Sequence, residues 1–365
     1  MTDGRIMVTG ADGYLGRHLV RHLLTHTDHP LLLWVRAATA AEAEAKCAPL
    51  LRDLPGAAGR VRCTGGDLSG DDPFGAVVPD DLGAIVHTAA VTSFTVEQDV
   101  AQRVNTEGTA RLLDLARRSP RLRSVCLLSS LYATGLQAGP IMELPAPVPS
   151  AGFANAYERS KWAAEAYAFG QTDLPVSVLR VATVLADDAT GRAGQHNAVH
   201  NTLRLLRLGM LALMPGLPDT PVYLTTAELV ARAAAAAVSR AETGVFHVAD
   251  RAADSLTLAR TLDVAFEVFG ADPGFARRRV ARPEYADLHS YRLLADSARG
   301  FGASVLGQAL TSLLPFAAQL YVGKDVGNER LRALLPGYRP LDAAALLGAT
   351  CRQLLADSRS PNVRR

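Results

Sequence analysis

The chain reads as an α/β protein, a doubly wound parallel sheet accompanied by a smaller, mostly helical region. Three observations predict this. Short apolar runs alternate with helix-length amphipathic segments as far as Leu179. Runs that do not alternate with polar residues, such as Leu31 to Val35, suit strands buried on both faces. A glycine-rich turn separates the first run from the first helical pattern.

The expected strands are Ile6-Met7-Val8, Leu31 to Val35, Val61 to Cys63, Ala84 to Val86, Val125 to Leu128 and Val176 to Leu179. Val100 to Arg118 is one of the intervening helices, and the Pro-rich stretch Leu144 to Pro149 is a rigid connector. Beyond Ala186 the texture changes. Asp187 to Asn197 reads as a polar loop, Ala198 to Leu213 as a helix, Glu228 to Arg240 as an Ala-rich helix and Val245 to Val248 as a short strand. From residue 256 onward the pattern is mostly helical. This divides the chain into a core over 1–186 and a covering region over 187–365, with about 222–250 returning to the core. Ala303 to Gly323 lacks charge but carries Gln308, Thr311, Ser312, Pro315 and Gln319, so it predicts a buried helix pair broken near Pro315, not a membrane span.

A length of 365 residues, 48% hydrophobic and 20% charged, describes a globular protein able to bury a large core. The formal net charge of +2 gives no preference for nucleic acid, and the Arg-rich end from Ser358 reads as a frayed tail. Cys47, Cys63, Cys126 and Cys351 are scattered and form no CxxC pair, which argues against disulfide or metal frameworks and for a reducing cytoplasm. The strand pattern begins at once, with no signal peptide ahead of it. The sequence leaves the oligomeric state open.

Thr9-Gly10-Ala-Asp-Gly13-Tyr14-Leu15-Gly16 follows the first strand and opens a helix. Here a backbone must turn tightly, approach a pyrophosphate and aim helix N–H groups at it, which predicts a Rossmann-type dinucleotide site. An acidic residue at the end of the second strand would hold the ribose 2′-hydroxyl of NAD. Arg36 stands there instead, which suits the 2′-phosphate of NADP. Gly66-Asp67-Leu68 follows the third strand, where a carboxylate can reach the adenine edge. Thr88, Ala89 and Ala90, after His87 at the end of the fourth, are small enough for the cofactor to lie close. Asn105 reads as a structural tie between strands.

The chain holds 38 basic residues, of which only Lys46, Lys161 and Lys324 are lysine. A lysine kept four residues after Tyr157 therefore points to a task that a planar guanidinium cannot perform. Positions i and i+4 share a helix face, and an adjacent cation lowers a phenol's pKa, so the pair suggests a proton donor for carbonyl chemistry. Ser130, at the carboxyl end of the fifth strand, can donate a hydrogen bond to a substrate carbonyl, with Ser129 as the reserve. His18, His22 and His26 share a helical face that reads as solvated. His196 and His200 stand where a lid begins and are open to substrate contact. No third ligand accompanies either set, so no metal is expected.

These motifs, in this order, resemble the extended short-chain dehydrogenase/reductase superfamily over roughly residues 5–250. Leu32 to Ala37, Gly66 to Ser69 and Tyr157-Glu-Arg-Ser-Lys161-Trp162-Ala-Ala-Glu165 are most similar to its thioester-reductase and fatty-acyl-reductase branch. The resemblance implies an NADPH-dependent reductase with Ser130, Tyr157 and Lys161 as catalytic residues. It also implies Lys161 on the nicotinamide ribose and Thr183 beside the nicotinamide. It further implies an acyl thioester substrate, reduced to an aldehyde or alcohol. With no room for an adenylation or carrier domain in this chain, the acyl group would arrive on CoA or a separate carrier protein. Val181 stands where the family has proline, and Leu224-Thr-Thr where the branch has Val-Asp. These departures bear on substrate, and two alternatives stay open. One is a ketone, aldehyde or nucleotide-sugar enzyme of the same superfamily, the other a non-catalytic NADP-binding regulator. Arg204, Arg207 and Arg232 would serve a sugar nucleotide, whereas the apolar run Leu205 to Leu217 favours a greasy acyl group.

Overall fold

The structure, a computed structural model, describes residues 4–52, 54, 56–300 and 305–359. Among these, seven strands form one sheet: β1 (Arg5–Thr9), β2 (Leu31–Arg36), β3 (Val61–Gly66), β4 (Leu82–His87), β5 (Ser124–Ser130), β6 (Val176–Val181) and β7 (Gly244–Val248). Their order is β7-β6-β5-β4-β1-β2-β3, and every pairing is parallel. The chain thus winds outward from β1 in both directions. The order reverses between β1 and β4, which is where a ligand crevice opens in such sheets.

The longer helices are α1 (Tyr14–His26), α2 (Ala40–Leu51), α3 (Gly108–Arg117), α4 (Ala156–Phe169), α5 (Ala198–Leu208), α6 (Ala227–Ser239), α7 (Leu258–Gly270), α8 (Leu288–Gly300), α9 (Val305–Ala317) and α10 (Ala343–Arg359). Strand alternation sorts the core onto two faces. Ile6 and Val8 pack with Leu19 and Leu23 of α1 and Val230 and Ala234 of α6. Met7, between them, packs with Leu112 of α3 and Ala168 of α4 on the other face. Burial on both sides explains why β1, β2 and β4 read as unbroken apolar runs. A separate core joins α5, α7, α8, α9 and α10 through Leu203, Leu262, Tyr291, Leu313 and Leu347.

Three expectations about elements are corrected. Helix α5 stops at Leu208, because Gly209 adopts the left-handed conformation (φ +71°) and its N–H caps the carbonyls of Leu205 and Leu206. The apolar run then continues as a strand, Leu213–Pro215, paired with Glu284–Ala286. Helix α9 is not broken at Pro315 but runs through it to Ala317, and a 3-10 turn, Ala318–Tyr321, follows. The Val100 to Arg118 segment is interrupted by a π-helical turn, Gln102–Glu107, which carries Asn105. Residues 303 and 304 of the uncharged stretch, and the tail beyond Arg359, lie outside the described residues. Among the described residues no helix is long and apolar enough to cross a membrane.

Candidate active site

At the carboxyl ends of β1 and β4 the two strands meet closely. Gly10 has φ +64°, and a Cβ there would lie 2.9 Å from the backbone of Ala89 and 3.0 Å from Thr88 Oγ1. The Thr9 hydroxyl bonds His87 Nδ1 at 2.8 Å and accepts from the Ala89 N–H at 3.3 Å, while Thr88 Oγ1 donates to the Thr9 carbonyl at 2.6 Å. Burial and the charge of Lys161 hold His87 neutral, its pKa brought down to about 3. Gly13 caps α1 without a side chain, and the first turn holds no acidic residue. The N–H groups of Tyr14, Leu15 and Gly16 are therefore left to an outside acceptor, and the positive helix end faces the crevice. This bare helix end and the glycine cradle fit the pyrophosphate of a dinucleotide. The Tyr14 phenol donates to Asp187 at 2.7 Å, and His18 approaches the same carboxylate at 3.3 Å. Asp187 thereby bolts the start of the 187–197 loop to α1, a role its sequence neighbourhood did not signal.

Arg36 ends β2 exposed, and among the described residues its guanidinium makes no hydrogen bond or salt bridge. Lys46 donates to the Arg36 carbonyl at 2.5 Å and pairs with Glu42 at 2.8 Å, adding a second cation to this strand end. The Asp67 carboxylate accepts from the Ser69 N–H and hydroxyl at 2.8 and 2.6 Å; these bonds, and then the charge of Arg36, hold its pKa below the usual range. Leu68 is buried against Gly108, and Ala90 lies half-buried beyond β4. Asn105 ties the loop after β4 to α4 rather than strand to strand. It bonds both backbone groups of Val91, at 2.8 and 2.9 Å, and Ser160 Oγ at 2.9 Å.

Beyond β5 the three expected catalytic side chains come together, all buried. Asn155 caps α4 by accepting from the Glu158 N–H, so Tyr157 falls in the first turn with Lys161 one turn later. The Ser130 hydroxyl hydrogen-bonds the Tyr157 phenol and also accepts from the Tyr132 N–H at 3.2 Å. Lys161 Nζ donates to the Leu128 carbonyl at 2.6 Å. The expectation that Lys161 depresses the phenol is not met in this structure. Burial raises Tyr157 to about 12, outweighing the Ser130 bond that lowers it, with Glu158, Tyr132 and Glu165 adding to the rise. Lys161 itself is brought down to about 8 by burial, against the pull of Glu165. Ser129 is not a free reserve, because its hydroxyl donates to Glu165 at 2.5 Å. Thr183 lies beside the group and bonds the Tyr132 phenol at 3.1 Å.

Two aromatics roof this site. Phe94, on the loop after β4, sits edge-on to Tyr157 (5.6 Å between centroids) and Tyr132 (6.0 Å), and touches Phe316 of α9 (6.1 Å). Phe94 was absent from the expected site. Its signal was a large aromatic between Ser93 and Thr95, immediately past a strand's carboxyl end. His200 is buried as the third residue of α5, where its Nδ1 accepts from the Asn197 N–H at 3.2 Å. His196 is exposed and bonded by Arg204 at 2.7 Å. Both line a separate cavity of about 270 Å³ with Asp187, Arg192 and Gln353, away from Tyr157. On α1, His18 and His22 are half-buried rather than solvated, because that face of the helix meets Asp187 and Arg232. Among the described residues no three His, Cys, Asp or Glu side chains gather as a metal cluster.

Residues 8–234 match the model of an NAD-binding family described as male sterility protein. The chain belongs to this family. It is thereby an NAD(P)-binding oxidoreductase of the extended short-chain dehydrogenase/reductase type. Among curated relatives of this male sterility protein family member, the isonitrile lipopeptide synthase of Streptomyces coeruleorubidus is 34% identical over 218 residues, covering 56% of this chain and 15% of the relative. The carboxylic acid reductase of Mycobacterium tuberculosis is 32% identical over 243 residues, covering 58% and 20%. The chain thus spans a small part of these relatives' length. Among solved structures, the terminal R domain from the myxalamid PKS-NRPS biosynthetic pathway superposes with a TM-score of 0.76 at 19% identity, covering 98% of this chain and 92% of that one. The reductase domain of a nonribosomal peptide synthetase from Mycobacterium tuberculosis gives 0.69 at 23%, covering 96% and 92%.

Proposed function

We propose that the chain is an NADPH-dependent reductase of acyl thioesters, presented on CoA or a carrier protein. The observation that carries this reading is the hydrogen-bonded Ser130–Tyr157 pair with Lys161 behind it, at the carboxyl end of the sheet and under an aromatic roof. The glycine cradle and the bare N-terminus of α1 would hold the pyrophosphate. Arg36, with Lys46 beside it, would hold the 2′-phosphate. When bound, the nicotinamide supplies hydride to the carbonyl carbon. The chain's own residues manage the oxygen. Ser130 donates a hydrogen bond to it as negative charge develops. Tyr157, protonated at neutral pH because burial raises it to about 12, gives it a proton. Lys161 holds a positive charge beneath the phenol that offsets the charge left on Tyr157. For a thioester, the tetrahedral adduct then expels the thiol and leaves an aldehyde. Phe94 and Phe316 exclude water from this exchange and match an apolar acyl group. We read residues 1–186 as the cofactor-binding core, 187–365 as the substrate-covering region, and the enzyme as cytoplasmic.

NADPH oxidation is the direct test. Consumption with an acyl-CoA or acyl-carrier thioester supports the reading, consumption with ketones alone shifts the substrate class, and none with any carbonyl overturns it. Arg36→Ala is expected to weaken NADPH binding about 10–100-fold, the range for a charge-assisted hydrogen bond. NADH affinity should change by less than about twofold. Fluorescence titration with both cofactors measures this, and equal losses would exclude Arg36 from the 2′-phosphate.

A further inference from the structure

Behind the three catalytic candidates lies an ion pair that the chemistry above does not use. Arg180 of β6 is fully buried, and its fork grips Glu165 of α4: NH2 donates to Oε2 at 2.7 Å and Nε to the same oxygen at 3.0 Å. Arg180 NH1 donates to the Met142 carbonyl at 3.3 Å. Glu165 Oε1 accepts the Ser129 hydroxyl at 2.5 Å. Lys161, one helical turn before Glu165, donates to the carbonyl of Leu128, the residue just before Ser129. Two successive turns of α4 therefore clasp two successive residues at the tip of β5. Ser130 is the next residue along that tip, and Tyr157 lies one turn before Lys161 on the same helix.

Most buried ion pairs add little net stability over an apolar filling, so a buried fork of this quality invites another explanation. We propose that Glu165, held by Arg180, is a positioning residue that fixes the tip of β5 against α4 and so sets the Ser130 hydroxyl against the Tyr157 phenol. Glu165 touches neither substrate nor cofactor in this scheme. It acts through Ser129 on the strand and through its shared helix face on Lys161. The inference rests on the reductase reading, since it concerns the alignment of that reading's proton donor and oxyanion donor.

The charges around the pair define the test. Tyr157 and Lys161 are faced by Glu158 and Glu165 on α4, by Tyr132 after β5 and by neutral His87 on β4. Arg180 stands behind Glu165, and Lys324 behind Glu158. Glu165 raises both Tyr157 and Lys161. Lys161 titrates near 8, so kcat/KM of the free enzyme should fall as pH rises through that value.

Ser129→Ala cuts the link between strand and carboxylate without changing charge. It should lower kcat roughly tenfold or more while NADPH affinity holds within about twofold and the alkaline limb stays in place. Ser129→Thr, which keeps the hydroxyl, should restore most of the loss. Glu165→Gln removes the negative charge and leaves that of Arg180, so the alkaline limb should move down by about one pH unit in addition to the fall in kcat. If Glu165→Gln does not fold, the Ser129 pair decides alone. Wild-type kcat in Ser129→Ala, or a loss matched by an equal loss of folded protein or of NADPH affinity, overturns the inference. A wild-type enzyme that fails to oxidise NADPH with any carbonyl overturns the reductase reading, and the inference with it.

Discussion

Tyr157→Phe is expected to lower kcat by about 10²–10⁴-fold, the usual contribution of a positioned general acid, while leaving NADPH affinity within about twofold. The geometry makes this a clean substitution. The ring keeps its edge-on contact with Phe94 and its place in the first turn of α4. Only the phenolic oxygen and its bond to Ser130 are lost. A single neutral hydrogen bond contributes about 1 kcal/mol, so the melting temperature should move by a few degrees at most. Stopped-flow or steady-state NADPH oxidation, with cofactor binding measured separately, resolves the two effects. Retained turnover would remove Tyr157 from the chemistry and direct attention to Ser130 alone. The prediction does not depend on a depressed phenol. A buried tyrosine raised to about 12 is a proton donor throughout the neutral range, whereas a phenolate would be useless to a reductase in the forward direction.

The strands and the cofactor cradle were legible in the sequence because both are written locally. Parallel strands buried on two faces become apolar runs, and a tight turn against a neighbouring strand becomes glycine. The contacts that complete the site join residues far apart, and no local pattern records them. Ser129 meets Glu165 across 36 positions, and Tyr14 meets Asp187 across 173. Nothing in the local sequence marks Arg180, although it is the buried partner on which Glu165 depends. The boundary of α5 leaves no hydrophobic signal, because Leu205 to Leu217 reads as one apolar run through Gly209 and the helix stop is a matter of φ. The scarcity of lysine proved informative in a broader sense than expected. All three lysines donate to main-chain carbonyls: Lys46 to Arg36, Lys161 to Leu128 and Lys324 to Gly135 and Gln137. A compact ammonium with three donors suits such converging acceptors better than a planar fork. Scarcity therefore marked a kind of bonding, and the neighbourhood of Ser130 and Tyr157 is what sets Lys161 apart.

The second large effect is expected at Gly16→Ala. Gly16 has ordinary helical geometry, so its requirement is space and not a special φ. A Cβ there would lie 2.1 Å from the Gly10 carbonyl oxygen and 2.9 Å from Ala11 Cα, both backbone atoms of the turn that must approach the pyrophosphate. Neither can swing aside as a side chain would. Relief requires α1 to back away from the turn, which disturbs Leu19, Val20 and Leu23, all buried in the core on that face of the sheet. Overpacking of this kind costs about 1–3 kcal/mol, and backbone-on-backbone contact belongs at the upper end. The same retreat moves the Tyr14, Leu15 and Gly16 N–H groups from the position that the glycine cradle gives them. Gly16→Ala should therefore lose NADPH affinity by about tenfold or more, beyond any loss of folded protein. Thermal unfolding with and without NADPH separates the two parts, because a variant that merely folds less well keeps the full stabilisation by ligand in its folded fraction. Normal cofactor-induced stabilisation in Gly16→Ala would show that the turn does not carry the pyrophosphate.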